Sequence, residues 1–155
     1  MSPRVLFLDL DGVVIMRHKD RVKLPSGRWV RAATPENVVH LNTIIEQARP
    51  IVVVSSSWRK HHQRMFLQRT LARAGYVGWV NDVTPIHCPE RARGFEIESW
   101  LSLHENVKSY VVLDDDADRG PIPEERWVRT DSLVGLTAHH AAKAINVLMA
   151  EAKAA

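Results

Sequence analysis

Residues 5–12 read Val-Leu-Phe-Leu-Asp-Leu-Asp-Gly, an apolar run that ends in two acids and a glycine. The apolar part is too short for a helix and is typical of a buried strand. In an extended chain, side chains two residues apart share a face, so Asp9 and Asp11 should lie about 6–7 Å apart on one side. Gly12 then lets the backbone leave the strand. Because desolvated carboxylates repel each other, the pair indicates a cation, a substrate or a shared proton, unless the strand simply ends in solvent with ordinary turn residues.

Composition limits the class of protein. The chain has 155 residues, which predicts a single domain spanning residues 1–155 with its own hydrophobic core. Its net charge of +3 is only weak support for a polyanionic partner. The one cysteine, Cys88, cannot form an internal disulfide, which suits a cytoplasmic protein. No apolar run approaches the length of a membrane span, and acids interrupt the N-terminal apolar stretch, so we expect no membrane association and no signal peptide.

Further apolar runs predict strands that alternate with amphipathic helices. The strands after the first are expected at 51–54, 77–80, 110–113 and 127–128, and the helices at 35–48, about 60–74, 94–104 and after a cap at Thr137. This alternation predicts an α/β fold, a Rossmann-like three-layer sandwich with a mainly parallel sheet covered on both faces. Ligands bind beyond the carboxyl ends of such strands. Three polar clusters stand there: Asp9 with Asp11, the serines 55–57, and the acids 114–116.

A basic segment at about residues 17–33 follows the first strand. Apolar residues flank Pro25-Ser26-Gly27, which predicts a small hairpin with its turn at Ser26-Gly27. The hairpin is either a solvated charged surface or a flap over the ligand edge of the sheet. An insert of about 20 residues is too small for a closing cap domain, so the site should be open and accessible to the phosphates of a polymer end. Trp29 in this segment either stacks on a base or packs under the hairpin.

The polar clusters suit phosphate chemistry with a hard metal ion. Carboxylates from two strands form an oxygen-rich site of the kind that Mg²⁺ prefers. The hydroxyl of Ser55 would donate a hydrogen bond to a phosphate oxygen. A fixed cation is also needed to neutralise a phosphoryl group in the transition state, and the candidates are Arg59, Arg91 and Arg93.

A calcium-binding loop is an alternative use of the third cluster. Asp114, Asp116, Asp118 and Glu125 occupy positions one, three, five and twelve of that loop. The sixth position requires glycine and is Arg119 instead, which opposes this interpretation.

Four segments, taken in order, resemble the motifs of the haloacid dehalogenase-like (HAD) phosphohydrolase superfamily. Residues 9–13 match its first motif, Asp-x-Asp-Gly-(Val/Thr), Ser55 matches the second, and Asp114 with Asp115 matches the fourth. The third motif is a Lys or Arg before a helix, and here it is Arg91 or Arg93. Residues 55–59 and 93–101 further resemble the capless HAD domains associated with RNA repair and the phosphatase half of polynucleotide kinase/phosphatase.

The resemblance implies a role for each matched residue. Asp9 would attack phosphorus, Asp11 would serve as general acid and then base, and Ser55 and Arg93 would hold the phosphoryl oxygens. Mg²⁺ would be bound by Asp9, the main-chain carbonyl of Asp11, Asp114 and Asp115. The other expected substrate contacts are Gly12, Ser56, Arg59, Lys23, Arg28 and Arg31.

We therefore expect a Mg²⁺-dependent phosphomonoester hydrolase that works through an aspartyl-phosphate on an RNA or DNA end or a nucleotide. One alternative is a small-molecule phosphatase acting on nucleotides or sugars. Another is a non-catalytic HAD-like domain that binds nucleic acid through the hairpin, although a pure binding module has no need of both Asp9 and Asp11.

Overall fold

The structure, a computed structural model, describes residues 2–19, 21–87 and 92–150. Cys88 and Arg91, which the sequence singled out, lie outside the described residues. The strands are β1 (Arg4–Leu8), β2 (Arg21–Lys23), β3 (Trp29–Arg31), β4 (Ile51–Val54), β5 (Val80–Val83), β6 (Ser109–Asp114) and β7 (Trp127–Arg129). The α-helices are α1 (Pro35–Ala48), α2 (Arg64–Arg73), α3 (Arg93–Ser102) and α4 (Ala138–Ala150), and two 3-10 helices span Ser57–Lys60 and Glu124–Arg126.

The main sheet has five strands in the order β5-β4-β1-β6-β7, and all neighbours are parallel. The central strand is β1, whose last residue, Leu8, is aligned with Val54 on one side and Leu113 on the other. The carboxyl ends of β1, β4 and β6 therefore lie side by side at one edge of the sheet. This confirms the predicted α/β fold and brings the three polar clusters to the same edge.

Alternating residues of each strand divide the core into two halves. Leu6 and Leu8 of β1 belong to a buried cluster with the apolar faces of α1, α2 and α4. Val5 and Phe7 point to the other face, where they belong to a cluster with residues of α3. The ring of Phe7 meets that of Trp100 edge to face, with 5.4 Å between centroids. Helices thus cover both faces of the sheet, as expected for a three-layer sandwich.

The basic segment forms a two-stranded antiparallel hairpin, as predicted. Val22 lies opposite Val30, and the left-handed turn residue is Gly27, with φ of +84°. Val30 is buried and Trp29 is exposed, so the two faces of the hairpin differ sharply. Between β1 and α1, the regular secondary structure of the described residues is this hairpin. Those residues form no large cap domain.

Two predicted elements were displaced. The strand expected at 77–80 is β5 at Val80–Val83, because Val77 and Trp79 remain exposed and pairing with β4 begins only at Val80. The helix expected from about Lys60 begins at Arg64, because a 3-10 helix precedes it and the hydroxyl of Ser56 caps that element. Among the described helices, none combines the length and the apolar character that a bilayer crossing requires.

Candidate active site

A tight turn directly follows β1 and sets the directions of the first acids. The main-chain N–H of Asp9 donates to the carbonyl of Leu113 at 3.0 Å, which keeps Asp9 beside β6. The chain then turns at Gly12, whose φ is +77°. A Cβ on Gly12 would lie 2.2 Å from an Oδ atom of Asp115. Only glycine lets this loop approach Asp115, so we assign the role of Gly12 to loop geometry.

Three acids from the ends of β1 and β6 form a compact cluster. One carboxylate oxygen from each of Asp9, Asp114 and Asp115 lies within 4.8 Å of the others. Asp9 and Asp114 are almost fully buried, and Oδ1 of Asp9 has no hydrogen-bond partner. Burial raises the pKa of Asp9 well above its usual value, and the negative charge of Asp114 raises it further. Crowding and burial thus disfavour the charged forms of these carboxyl groups, and a divalent cation bound among them would favour those forms.

Among the described residues, Arg93 supplies a cation to this cluster. Its Nη1 lies 3.0 Å from Oδ2 of Asp9 and also donates to Oδ2 of Asp114. Burial lowers the pKa of Arg93, but the two carboxylates outweigh it, so the pKa lies above its ordinary value. Gly94 permits this placement, since a Cβ there would lie 2.0 Å from the carbonyl oxygen of Arg119.

The carboxylate of Asp11 has different partners from that of Asp9. It lies 3.2 Å from Nη1 of Arg31 and accepts a hydrogen bond from Nε1 of Trp58 at 3.0 Å. The expectation that Asp9 and Asp11 share a strand face is wrong, because β1 ends at Leu8 and Asp11 lies in the turn. Among described residues, the Asp11 carboxylate is not part of the acid cluster that could hold a metal.

The serines after β4 differ in their surroundings. The N–H of Ser55 donates to the carbonyl of Leu8 at 3.0 Å, which places this residue beside the end of β1. Its hydroxyl is buried without a hydrogen-bond partner. The hydroxyl of Ser56 instead accepts from the N–H of Trp58 at 3.3 Å and caps the 3-10 helix. Of the two, Ser55 has the hydroxyl that is available to a ligand.

Arg59 is buried, and each N–H group of its guanidinium donates a hydrogen bond to a group of the protein. Its five N–H groups are matched by four main-chain carbonyls and one carboxylate, those of Ser55, Ser56, Thr84, Pro85 and Glu96. The structure therefore gives Arg59 a supporting position behind the serines, rather than the open contact that the sequence suggested. The partner Glu96 was missed, although a glutamate on the same helix face as Trp100, four residues on, is a signal of a buried acid.

The basic hairpin borders a cleft next to the acid cluster. This cleft has a volume of about 400 Å³ and lies between the hairpin and the 3-10 helix Ser57–Lys60. Arg28 and Arg31 line it together with Asp11. Lys23, which was expected to act with them, is exposed and is not among the lining residues. Two of the three expected hairpin contacts, Arg28 and Arg31, thus line one cleft with Asp11.

The loop after β6 does not have the arrangement of a calcium site. The carboxylate of Asp116 accepts the N–H of Asp118, and that of Asp118 accepts the N–H of Gly120. Glu125 is exposed. Within the described ranges, Asp114 instead shares its cluster with Asp9 and Asp115. The geometry therefore favours the cluster between β1 and β6 over the calcium-type alternative.

The chain is similar to one described protein family and, in fold, to solved structures of low sequence identity. Residues 5–141 match the family described as the HAD domain in Swiss Army Knife RNA repair proteins. No curated protein matches the chain. Similar solved structures include a hypothetical protein from Xanthomonas campestris, with 13% identity, TM-score 0.47, and coverage of 99% of this chain and 86% of that one. Another is a putative HAD family hydrolase from Streptomyces avermitilis, with 10% identity, TM-score 0.42, and coverage of 97% and 84%.

The family match spans most of the chain and includes the ends of β1, β4 and β6, where the acids and serines lie. It confirms the resemblance that the four motifs indicated. The chain belongs to the family of HAD domains found in Swiss Army Knife RNA repair proteins.

Proposed function

We propose that this protein hydrolyses phosphomonoesters and that Asp9 is its nucleophile. The observation that carries the proposal is the state of the Asp9 carboxylate. Its Oδ2 is held by Arg93, while its Oδ1 is buried with no hydrogen-bond partner. Arg93 thus pairs with one oxygen of Asp9, and the other oxygen has no partner among the described residues, beside a cation suited to an incoming phosphoryl group.

The residues at this edge fit a magnesium ion. Asp9, Asp114 and Asp115 supply hard carboxylate oxygens, and by family resemblance the main-chain carbonyl of Asp11 joins them. Burial raises the pKa of Asp9 and Asp114, because it disfavours the charged form of each carboxyl group, and a cation bound to them would act in the opposite direction. When bound, the ion would neutralise charge on the phosphoryl group.

The first half of the proposed reaction transfers the phosphoryl group to the protein. Oδ1 of Asp9 attacks phosphorus and forms a P–O bond, while the bond between phosphorus and the leaving oxygen breaks. Asp11, in its protonated form, donates its proton to that oxygen, so the leaving group departs as an alcohol. The guanidinium of Arg93 and the free hydroxyl of Ser55 donate to the phosphoryl oxygens.

The second half restores the protein. Asp11, now a carboxylate, accepts a proton from a water molecule, whose oxygen attacks phosphorus. The bond between phosphorus and Asp9 breaks and inorganic phosphate leaves. Asp9 is again a carboxylate and Asp11 is again protonated, so the cycle consumes one water per phosphomonoester.

A nucleic-acid end is the proposed substrate. Two features support it: the family is described by its occurrence in RNA repair proteins, and a basic hairpin without a large cap borders the site. Arg28 and Arg31 line the cleft that we expect the chain of a polymer to enter, and Lys23 lies on the same hairpin. Such contacts recognise phosphates with little regard to base sequence.

Substitution of Asp9 by Asn tests the proposal. We expect the protein to hydrolyse para-nitrophenyl phosphate and end-phosphorylated oligonucleotides with Mg²⁺, and Asp9→Asn to lose about a thousandfold or more of this rate with an unchanged circular dichroism spectrum. The matched control is Asp118→Asn, because Asp118 is exposed and lies outside the cluster. Turnover by Asp9→Asn would refute the nucleophile. A wild-type protein inactive on all phosphomonoesters would favour a non-catalytic domain, and activity on metabolites alone would favour a small-molecule phosphatase.

A further inference from the structure

The cleft beside the hairpin begins at the proposed general acid. Asp11 lines it, and so do both side chains that hold the Asp11 carboxylate, Arg31 and Trp58. Its volume of about 400 Å³ falls within the range of pockets that bind small organic groups. Because Asp11 follows Asp9 by two residues, the cleft lies close to the acid cluster without sharing its acids.

The lining of the cleft is strongly basic. Arg21, Arg28 and Arg31 contribute guanidinium groups, and Asp11 is the acid among the lining residues. Arg31 already pairs with Asp11, whereas Arg21 and Arg28 form no ion pair with any described residue. The pKa of His62, which also lines the cleft, is lowered by burial and by the positive charge of Arg28. The cleft is thus suited to an anion beyond the phosphoryl group at Asp9.

Aromatic side chains stand beside these cations. Trp29 lines the cleft and leaves 58% of its surface exposed, although neighbouring Val30 is buried. The guanidinium carbon of Arg31 lies 6.0 Å from the ring centroid of Trp58, and the Trp58 ring lies 5.4 Å from that of His62. Trp58 is buried, so Trp29 is the indole that the cleft exposes. An exposed indole among arginines is the combination with which proteins bind single-stranded nucleic acid, by stacking on bases and pairing with phosphates.

The chemistry of the proposed reaction places the leaving group on this side. If Asp11 protonates the leaving oxygen, the oxygen must lie within hydrogen-bond distance of its carboxylate. The remainder of the leaving group then extends from Asp11. The cleft that Asp11 lines is the space that can receive it.

We propose that this cleft binds the nucleotide that carries the phosphomonoester, together with the phosphodiester that follows it. Trp29 stacks on the base, and Arg21 and Arg28 contact the phosphodiester. The inference rests on the proposed phosphatase function and narrows its substrate to a chain of at least two nucleotides. A mononucleotide lacks the phosphodiester and therefore cannot make the contacts with Arg21 and Arg28.

The length dependence of activity tests the proposal. The series consists of para-nitrophenyl phosphate, a nucleoside monophosphate, and a dinucleotide and a tetranucleotide with one terminal phosphate, each made with the phosphate at the 3′ and at the 5′ end. We expect kcat/KM to rise about tenfold or more from mononucleotide to dinucleotide in the preferred series. No rise at the dinucleotide in either series would overturn the proposal.

Variants locate the effect. Trp29→Ala and Arg28→Gln should each lower the ratio of kcat/KM on the dinucleotide to that on para-nitrophenyl phosphate about tenfold. Both side chains are exposed, so neither change removes core packing. Arg69→Gln removes the same charge from an exposed position on α2 that does not line the cleft, and should keep the ratio. An equal loss on both substrates in the cleft variants would overturn the assignment.

A binding measurement separates this proposal from the phosphatase itself. Calorimetric titration of Asp9→Asn with the end-phosphorylated dinucleotide does not depend on turnover. The double variant Asp9→Asn/Trp29→Ala should bind the dinucleotide about tenfold more weakly than Asp9→Asn does. The double variant Asp9→Asn/Arg69→Gln should bind it as tightly as Asp9→Asn does. Equal affinities with and without Trp29→Ala would overturn the cleft assignment, whereas failure of the proposed function would appear only as absent hydrolysis.

Discussion

Arg93 affects both the stability of the folded protein and the rate of the proposed reaction. It offsets the negative charge of Asp9 and Asp114, which burial would otherwise make costly. In the proposed reaction it also donates to a phosphoryl oxygen whose charge grows in the transition state. The first task concerns stability and the second concerns rate, so substitutions at this position should change both.

Arg93→Gln should lower kcat on para-nitrophenyl phosphate a hundredfold or more, equivalent to about 3 kcal/mol, because a fixed transition-state cation is lost. The measurement is steady-state kinetics at saturating Mg²⁺, which minimises the effect on metal binding. Arg91→Gln is the companion variant, since Arg91 was the other candidate from the sequence. Near-normal activity in Arg93→Gln with loss in Arg91→Gln would move this role to Arg91.

At the scale of residues, the sequence predicted which site residues lie at the ligand edge of the sheet, but it did not predict where each side chain points. Asp9, Ser55 and Asp114 meet at one edge as expected, because each ends an apolar run and parallel strands end together. Asp11 turns to Trp58 because β1 ends at Leu8, a boundary that an apolar run of this length leaves open by a few residues. The full set of partners around Arg59 depends on loops that converge only in the folded chain.

At the scale of elements, one buried ion pair ties the ligand edge together. Arg59, in the 3-10 helix, bonds to the main chain after β4 and after β5, and its carboxylate partner Glu96 lies on α3. Glu96 also accepts the N–H of His87 at 3.0 Å. The helix that begins with Arg93 is thereby anchored to the loop that carries Ser55.

Glu96→Ala should destabilise the protein by about 3–5 kcal/mol, because it leaves the guanidinium of Arg59 buried without its counter-charge. Burial already lowers the pKa of Arg59, while Glu96 acts to raise it. Urea unfolding measures the change. The control is Glu98→Ala, an exposed position on the same helix, which should stay within about 0.5 kcal/mol of the wild type. Equal effects of the two substitutions would show that the pair adds nothing to stability.

Most helices and strands could be predicted from local sequence patterns. The two elements that begin later than predicted show that local patterns carry no information on tertiary contacts. Pro35 begins α1 as expected, and the hairpin turn lies at Gly27. Val77 and Trp79 have the side chains of a strand, yet the strand begins only where the chain reaches β4. Ser56 caps a 3-10 helix that interrupts the helix predicted to start near Lys60. Both errors come from tertiary contacts that a single segment does not encode.

At the scale of the whole molecule, the fold supports its acid cluster at a cost in stability. The strand order places β1 between β4 and β6, so the cluster lies against the core rather than at an outer edge of the sheet. Asp114 is fully buried, and burial raises its pKa although Arg93 acts to lower it. A folded state that disfavours its own carboxylates should be stabilised by the cation that they bind.

Asp114→Asn should therefore raise the free energy of unfolding in a chelator while it abolishes Mg²⁺-dependent activity. Because the pKa of Asp114 is raised on folding, the folded wild type binds more protons than the unfolded chain and loses stability as pH rises above about 4. The stability of Asp114→Asn relative to the wild type should therefore grow as the pH rises over that range. Addition of Mg²⁺ should narrow the difference by stabilising the wild type alone.

Urea unfolding between pH 4 and 8, with and without Mg²⁺, measures both effects. The control is Asp116→Asn, at an exposed position, which should match the wild type throughout. A less stable Asp114→Asn at pH 7 in chelator would mean that its pairing with Arg93 outweighs the cost of burial.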